Sequence, residues 1–306
     1  MANLKDIKRR IKSVENTQKI TRAMKMVAAA KVKKAEAMLK ASIPYSAELF
    51  NIIKTLLSSK PYLEHPEYNF EKAIDNYPEL LKERELKTAG ILVITSDKGL
   101  AGAYNANVVR KAMARINSLQ RSGIDVKLFI VGNKGYQSLK RTAGEKIANF
   151  YTKLPAIPTP GASAVIAEDL AESYVNGEID KVEIITTYFK SSLSYEVQIW
   201  QLLPMIFSPE YKTKQQGPIE AEMLFEPDME SVLQKVVPLF ISNRIFHAVI
   251  EAATSEQAAR MQAMSSATNN ARDMIKCLTN DYNKARQASI TQELLEVVNG
   301  AEALRG

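Results

Sequence analysis

The chain has 306 residues, 46% of them hydrophobic, and a formal net charge of +7, so it is long and apolar enough for a true core and is not of disordered composition. No uninterrupted apolar run reaches the roughly 18 residues that would span a bilayer, and the opening MANLKDIKRR has no apolar block of signal-peptide type, which predicts a protein that stays on the side where it is made. The single cysteine, Cys277, excludes an intrachain disulfide and suits a reducing compartment, while His65 and His247 are too few for a histidine metal site.

In chain order, the first feature is a run from Met1 to Ile43 without Gly or Pro, predicted as one helix that Pro44 would kink or end. Asn3 can cap it, and Asp6 suits the positive end of its dipole. Residues spaced alternately by three and four form a coiled-coil seam: Ile7, Ile11, Val14, Gln18, Thr21, Lys25, Ala28, Val32, Ala35 and Leu39. Its middle, at Gln18, Thr21 and Lys25, is polar. Residues 1 to 40 hold twelve Lys or Arg against Asp6, Glu15 and Glu36, so this segment carries +9 and the remainder of the chain −2. A helix this basic points to nucleic acid, an anionic membrane or an acidic protein partner. It holds no aromatic residue, Tyr45 being the first in the chain, which excludes base stacking from this helix but leaves phosphate contact open.

The periodicity then changes. GILVITS (90–96) and VKLFIVG (126–132) read as short buried strands, the first followed by a helix over about 105–119 and the second by the helical stretch KGYQSLK. A helix near 162–176, the strand KVEIITTYFK and, after the turn signal SSLS, a further strand in YEVQIWQLLP complete the series. Strands alternating with helices of this length predict a parallel, doubly wound, Rossmann-like sheet. Residues 58–88 and 207–228 read as irregular connections. The loop SDKGLAGAYN after the first strand stands where open parallel sheets bind ligands. It nevertheless lacks GxxxxGK[ST] and GxGxxG, and Ser96, Asp97 and Lys98 have no histidine near them in sequence, so neither nucleotide binding nor catalysis is the favoured reading.

Between Pro238 and Gly300 lie 61 residues without Pro or Gly. At about 1.5 Å per residue, a helix there is on the order of 90 Å long, more than an ordinary domain is wide, so it must protrude or be clasped. A second seam runs Ala271, Met274, Leu278, Asp281, Ala285 and on to Leu295 and Val298, with Gly300 placed to terminate the helix. Partial seams at opposite chain ends predict an antiparallel coiled coil, slender because its residues are largely Ala and Met. The expected fold class is therefore α/β, a long antiparallel coiled coil plus a central Rossmann-like domain, divided as 1–57, 58–228 and 229–306.

Four motifs then carry a resemblance: IKSVENTQKITRAMKMVAAAKVKKAE (11–36), SDKGLAGAYN (96–105), SEQAARMQAM (255–264) and NKARQASITQELLEVVNGAEAL (283–304) closely resemble the gamma subunits of F-type, proton- or sodium-driven ATP synthases. The resemblance covers the chain from end to end. It implies that the terminal helices form a shaft inside a hexamer of alternating alpha and beta subunits, with the α/β domain against the c-subunit ring and the epsilon subunit. It further implies that rotation of the shaft drives the beta sites through their conformations, coupling ion flow to ATP synthesis or hydrolysis. No catalytic residue, metal, cofactor, nucleic acid or small-molecule substrate is implied for the shaft itself.

Carried over by motif, Arg286, Gln287 and Thr291 match the polar residues that engage a beta-subunit loop, and Met24 with Lys25 matches the segment near the acidic beta-subunit lever. The resemblance also implies a peripheral location on the cytoplasmic side of a bacterial inner membrane. Two departures stand out. Ala101 replaces the cysteine of the family's usual Gly-Leu-Cys-Gly loop, and the regulatory cysteine pair of photosynthetic relatives is absent, so activity is expected not to respond to thiol reduction. A basic helical nucleic-acid-binding protein is the alternative, and an α/β enzyme with a ligand at Gly99 to Tyr104 a third reading.

Overall fold

The computed structural model describes residues 4–58, 72–153, 155, 158–205 and 229–303. Most of the two segments expected as irregular connections, 58–88 and 207–228, and the proposed cap Asn3 fall outside these residues. In the described part of the first, the chain makes a short 3-10 turn at Ala73–Asp75 and a helix, α2 (Tyr77–Leu81), rather than irregular chain throughout. The remaining helices are α1 (Leu4–Ser58), α3 (Tyr104–Arg121), α4 (Asn133–Ala143), α5 (Pro160–Val175) and α6 (Met229–Ala303). The strands are β1 (Thr88–Ile94), β2 (Asp125–Val131), β3 (Ile147–Tyr151), β4 (Lys181–Ser191) and β5 (Ser194–Leu203).

One of the terminal helices outruns its expected stop, and the other passes a proline expected to kink or end it. α1 continues through Pro44, and α6 contains Pro238 and passes Gly300. A proline removes one helix hydrogen bond, and after Pro44 the buried Leu49 and Ile53 hold the following turns against the core, so packing outweighs the local defect. α6 also contains an 18-residue window of mean hydropathy 1.3, 56% of it buried within the protein, as in the core helix of a soluble domain.

The chain divides into two compact units, Ala30–Ala259 and Met1–Ala29 with Arg260–Gly306. The larger unit is built on a five-stranded sheet in the order β3-β2-β1-β4-β5. β3, β2, β1 and β4 are mutually parallel, whereas β5 runs antiparallel to β4. Only Ser192 and Leu193 separate β4 from β5, and so short a link permits a hairpin but no crossover. β3, five residues long and half-exposed, carries too little apolar pattern to be read as a strand from sequence.

Alternating side chains of the sheet feed two cores. On one face Leu92, Ile94, Phe129 and Ile184 meet Leu170 and Tyr174 of α5, Ile53 of α1 and Ile241 and Ile245 of α6. On the other, Ile91, Val93, Leu128 and Ile130 meet Val108, Ala112 and Ile116 of α3 and Leu139 of α4. Burial on both faces is what a parallel sheet requires. Polar anchors fix α6 in this unit: Tyr104 Oη donates to Ala252 O at 3.2 Å, Thr186 Oγ1 to Ala248 O at 3.1 Å, and Ser46 Oγ to Asn243 Oδ1 at 2.6 Å. The one buried carboxylate among the sheet residues, Glu183, accepts both ends of the Arg115 guanidinium at 2.7 and 2.6 Å and an ion pair from Lys181 at 3.0 Å. Burial by itself would raise the Glu183 carboxyl, but the hydrogen bonds from Arg115 and Lys181 outweigh it and hold the group below its ordinary range.

Candidate partner interface

The smaller unit is a pair of helix segments. Within it Thr268 Oγ1 donates to Thr21 Oγ1 at 2.9 Å, and Lys25 Nζ donates to Ser265 Oγ at 3.0 Å. A step of four residues forward on α1 is matched by a step of three back on α6, so the segments run antiparallel. The buried or half-buried row on α1 is Ile7, Ile11, Val14, Gln18, Thr21, Met24 and Ala28. Lys25 itself is exposed and spans the seam only by its ammonium, while Met24 takes the half-buried place at that turn.

On α6 the row is Met264, Thr268, Ala271, Ile275, Leu278, Tyr282, Ala285 and Ser289. This corrects the expected seam at four residues, the first two being Met274 and Asp281. Met274 is 54% exposed and Asp281 is exposed, and their positions are taken by the next residues, Ile275 and Tyr282. Ala271 fits either phase. Extending the row back to Met264 and Thr268 fixes the alternation of four and three and selects Ile275, and it would also have revealed the partners of Thr21 and Lys25.

Leu4 of α1 lies 17 residues before Thr21, and Ala285 lies 17 after Thr268, both half-buried. Every residue of α6 from Ile290 to Ala301 is exposed, including Leu295 and Val298, which were expected in the seam. Among them are large apolar side chains: Ile290 47%, Leu294 61%, Leu295 56%, Val297 70% and Val298 56% exposed.

All five sequence-selected contact residues belong to this unit, in two separate groups. Met24 and Lys25 lie level with Ser265. Arg286, Gln287 and Thr291 lie 21 or more residues further along α6, on the order of 30 Å away at the helical rise. Arg286 and Gln287 are exposed, and the Arg286 guanidinium finds no ion-pair partner among the described residues. Thr291 is exposed and its hydroxyl donates back to the Gln287 carbonyl at 2.9 Å, which keeps the side chain close to its own helix.

In the larger unit the loop after β1 packs against the start of α4, the helix that follows β2. The first-turn amides of α4, which a free helix terminus would offer to an anion, are all taken. Asn133 N donates to Asp97 Oδ1 at 2.9 Å, Lys134 N to Ser96 O at 3.0 Å, Gly135 N to Thr95 Oγ1 at 3.0 Å and Tyr136 N to Gly132 O at 3.3 Å. Asp97 also accepts from Lys153 N at 2.9 Å and Thr152 Oγ1 at 3.2 Å. Gly132 stands at φ 93, and a Cβ there would lie 2.4 Å from the Thr95 carbonyl oxygen, so loop and helix are in direct contact. The carboxylate of Asp97 occupies the anion position itself.

Among the described residues no group of three or more His, Cys, Asp or Glu could hold a metal ion. His247 lies in α6 with its Nδ1 4.0 Å from Glu251 Oε2. Burial pushes the Glu251 carboxyl up to about 7, the nearby Arg244 pulling the other way, and burial lowers His247, with Arg244 adding to the effect. Arg244 in turn lies 4.3 Å over the Trp200 ring. Cys277 is exposed.

Comparison with known proteins follows the whole chain. A family model described as ATP synthase matches residues 3–304. The ATP synthase gamma chain of Picosynechococcus sp. is 40% identical over 99% of this chain and 100% of its own length, and that of Trichormus variabilis is 40% identical with the same coverage. The alignment with the Picosynechococcus chain runs to 326 positions, so at least 20 of them have no counterpart among the 306 residues here. Among solved structures, a chain of the Tetrahymena thermophila mitochondrial ATP synthase central stalk and c-ring is 24% identical, with a TM-score of 0.56 over 81% of this chain and 99% of that one. A chain of the Euglena gracilis mitochondrial ATP synthase rotor is 17% identical, with a TM-score of 0.61 over 94% of this chain and 98% of that one. At these identities the two structures speak for a shared fold.

Proposed function

The chain belongs to the ATP synthase family as a gamma chain, and we infer that its work is mechanical: it is the central rotor shaft of an F-type ATP synthase, a subunit with no catalytic site of its own. It couples ion flow through the membrane ring to the conformational cycle of the catalytic beta subunits. Residues 1–57 and 229–306 supply the shaft helices and residues 58–228 the α/β body. The partners are the alpha and beta subunits around the shaft, the epsilon subunit and the c-subunit ring.

One observation supports this reading most strongly. The last turns of α6 expose five large apolar side chains beyond the end of the seam, near Arg286, whose guanidinium has no ion-pair partner among the described residues. An apolar stretch of this kind in water is a surface awaiting a protein, and a sleeve of alpha and beta subunits supplies one. Arg286 against a beta-subunit carboxylate would form a charge-assisted hydrogen bond of about 1.5–3 kcal/mol, strong enough to grip and weak enough to release within a turnover. Lys25 presents a second cation to the acidic lever of the same subunit, and Met24 the apolar surface beside it. The small residues of the seam, Ala28 and Ala271 among them, keep the shaft narrow.

The enzyme is membrane-associated, and this subunit is peripheral to the membrane. We place it on the cytoplasmic side of a bacterial inner membrane, a placement supported by the cyanobacterial source of its relatives. Purification of the tagged chain from its own cells tests the whole reading. An ATP-hydrolysing assembly is expected to accompany it, and Arg286→Ala or Gln287→Ala to slow hydrolysis while the assembly stays intact. A chain that emerges alone, or that retains duplex DNA at physiological salt, would overturn it.

A further inference from the structure

We propose that Thr21, Thr268 and Ser265 are positioning residues: they lock the register of the shaft's two helices at the level of Met24 and Lys25, and thereby aim the Lys25 ammonium at its partner. The proposal rests on the reading of Met24 and Lys25 as partner contacts. The two hydroxyls are buried, Thr21 9% and Thr268 8% exposed, and they lie 2.9 Å apart across the seam. One turn along, Ser265 holds the Lys25 ammonium at 3.0 Å.

The need for such a lock follows from the seam's composition. Around this level α1 contributes Gln18, Thr21, Met24 and Ala28, and α6 contributes Met264, Thr268 and Ala271, so apart from the two methionines few large apolar knobs fix one helix against the other. Small residues are nearly interchangeable across a seam, and a helix pair packed on them alone slides at little cost. A buried polar pair is not interchangeable, which is how single polar positions set the register of coiled coils. A slide of one rung in one direction would bring Thr21 opposite Ala271, whose methyl group cannot meet the hydroxyl.

The arrangement favours specificity over strength. Each hydroxyl also has a carbonyl of its own helix within reach, Thr268 that of Met264 at 2.7 Å and Thr21 that of Gln18 at 3.1 Å. Neither group is orphaned when the pair separates, so the preference for this register amounts to the one hydrogen bond across the seam and not to a buried unsatisfied group. Lys25 illustrates the consequence. Its four-carbon stem is flexible and exposed, and the bond to Ser265 restricts it while leaving two of its three N–H donors for an acidic partner.

The test has two readouts, both on full-length protein. In a Cys277→Ser background, cysteines replace Val14 and Ile275, which lie on the same seam seven residues from Thr21 and from Thr268 and take no part in the proposed contacts. Oxidation of this chain is expected to form the intrachain cross-link, and the pair Thr21→Val with Thr268→Val to lower its yield about twofold by populating neighbouring registers, with Thr268→Ser retaining it. In the assembled enzyme, ions pumped per ATP hydrolysed are expected to fall about threefold in Thr21→Val with Thr268→Val and in Ser265→Ala, and to hold in Thr268→Ser. An unchanged cross-link yield in the double valine variant would overturn the register lock. A lowered yield with an unchanged pumping ratio would overturn the positioning role. If the parent chain supports no ATP-driven pumping at all, the shaft reading fails, and the cross-link on the isolated chain still decides the lock.

Discussion

The two units of this chain satisfy their side chains in opposite ways. The larger one mostly closes on itself: its sheet is covered on both faces, its buried carboxylate is matched by Arg115 and Lys181, and the first turn of α4 is filled by Asp97, while apolar side chains such as Val165 and Leu193 are exposed only singly. The smaller one is left incomplete, with a seam partly polar at its middle and a final stretch of α6 that exposes leucine and valine to whatever surrounds it. The difference teaches where to look for function in this chain. The region that mostly covers its own side chains is scaffold, and the one that exposes a run of large apolar side chains is the one that meets a partner.

Substitutions at the two places should therefore behave differently in the isolated chain. The largest effect is expected in the sheet core, where Ile245 is fully buried. Ile245→Ala should cost about 2–5 kcal/mol, read as a lowered denaturation midpoint of the larger unit. Asp97→Ala should cost somewhat less, about 2–3 kcal/mol, because it strips a charged acceptor from three donors. Amide exchange at Asn133 and Lys153 should rise together in that variant, whereas independent changes at the two amides would argue against a shared anchor.

A pH dependence sharpens the same contrast. The Glu251 carboxyl is raised in the folded chain to about 7, so its contribution to stability is fully present below its unfolded value of 4.5 and is lost as pH rises toward 7. The loss amounts to about 3 kcal/mol at most. Glu251→Gln should flatten the stability profile between those values and make the protein more stable at pH 8. His247 acts in the opposite sense, its lowered value removing stability as pH falls below its ordinary range, so the variant should leave that acid limb in place. The smallest effect belongs to the exposed end of α6. Leu294→Ser should change the stability of the isolated chain by no more than about 0.5 kcal/mol, yet it should weaken assembly with the alpha and beta subunits.

Much of this was legible in the sequence. The absence of Gly and Pro exposed both long helices, and the apolar runs located four of the five strands with their order of alternation. Most of the misreadings share one cause, the override of a local signal by packing. Pro44 is a kink or stop signal that the packing of Leu49 and Ile53 carries the helix past, whereas Gly300 lies in an exposed stretch where no packing explains the continuation. Ala271 is compatible with two phases of the seam, and the choice between Met274 and Ile275 is made only by where α1 lies. β3 is an edge strand held by its pairing with β2 and not by its own pattern. The contact residues are a different case. Arg286 and Gln287 are ordinary exposed helix residues by any local measure, and Ser265 and Thr268 acquire meaning only from what faces them across the seam.

The central claim is that the exposed end of α6 is covered by protein in the working molecule. A cysteine at Leu294 in the Cys277→Ser background, labelled with a maleimide in the isolated chain and again in the purified ATP-hydrolysing assembly, measures this directly. The account predicts rapid labelling of the isolated chain and strong protection in the assembly. Equal labelling rates in the two would contradict it.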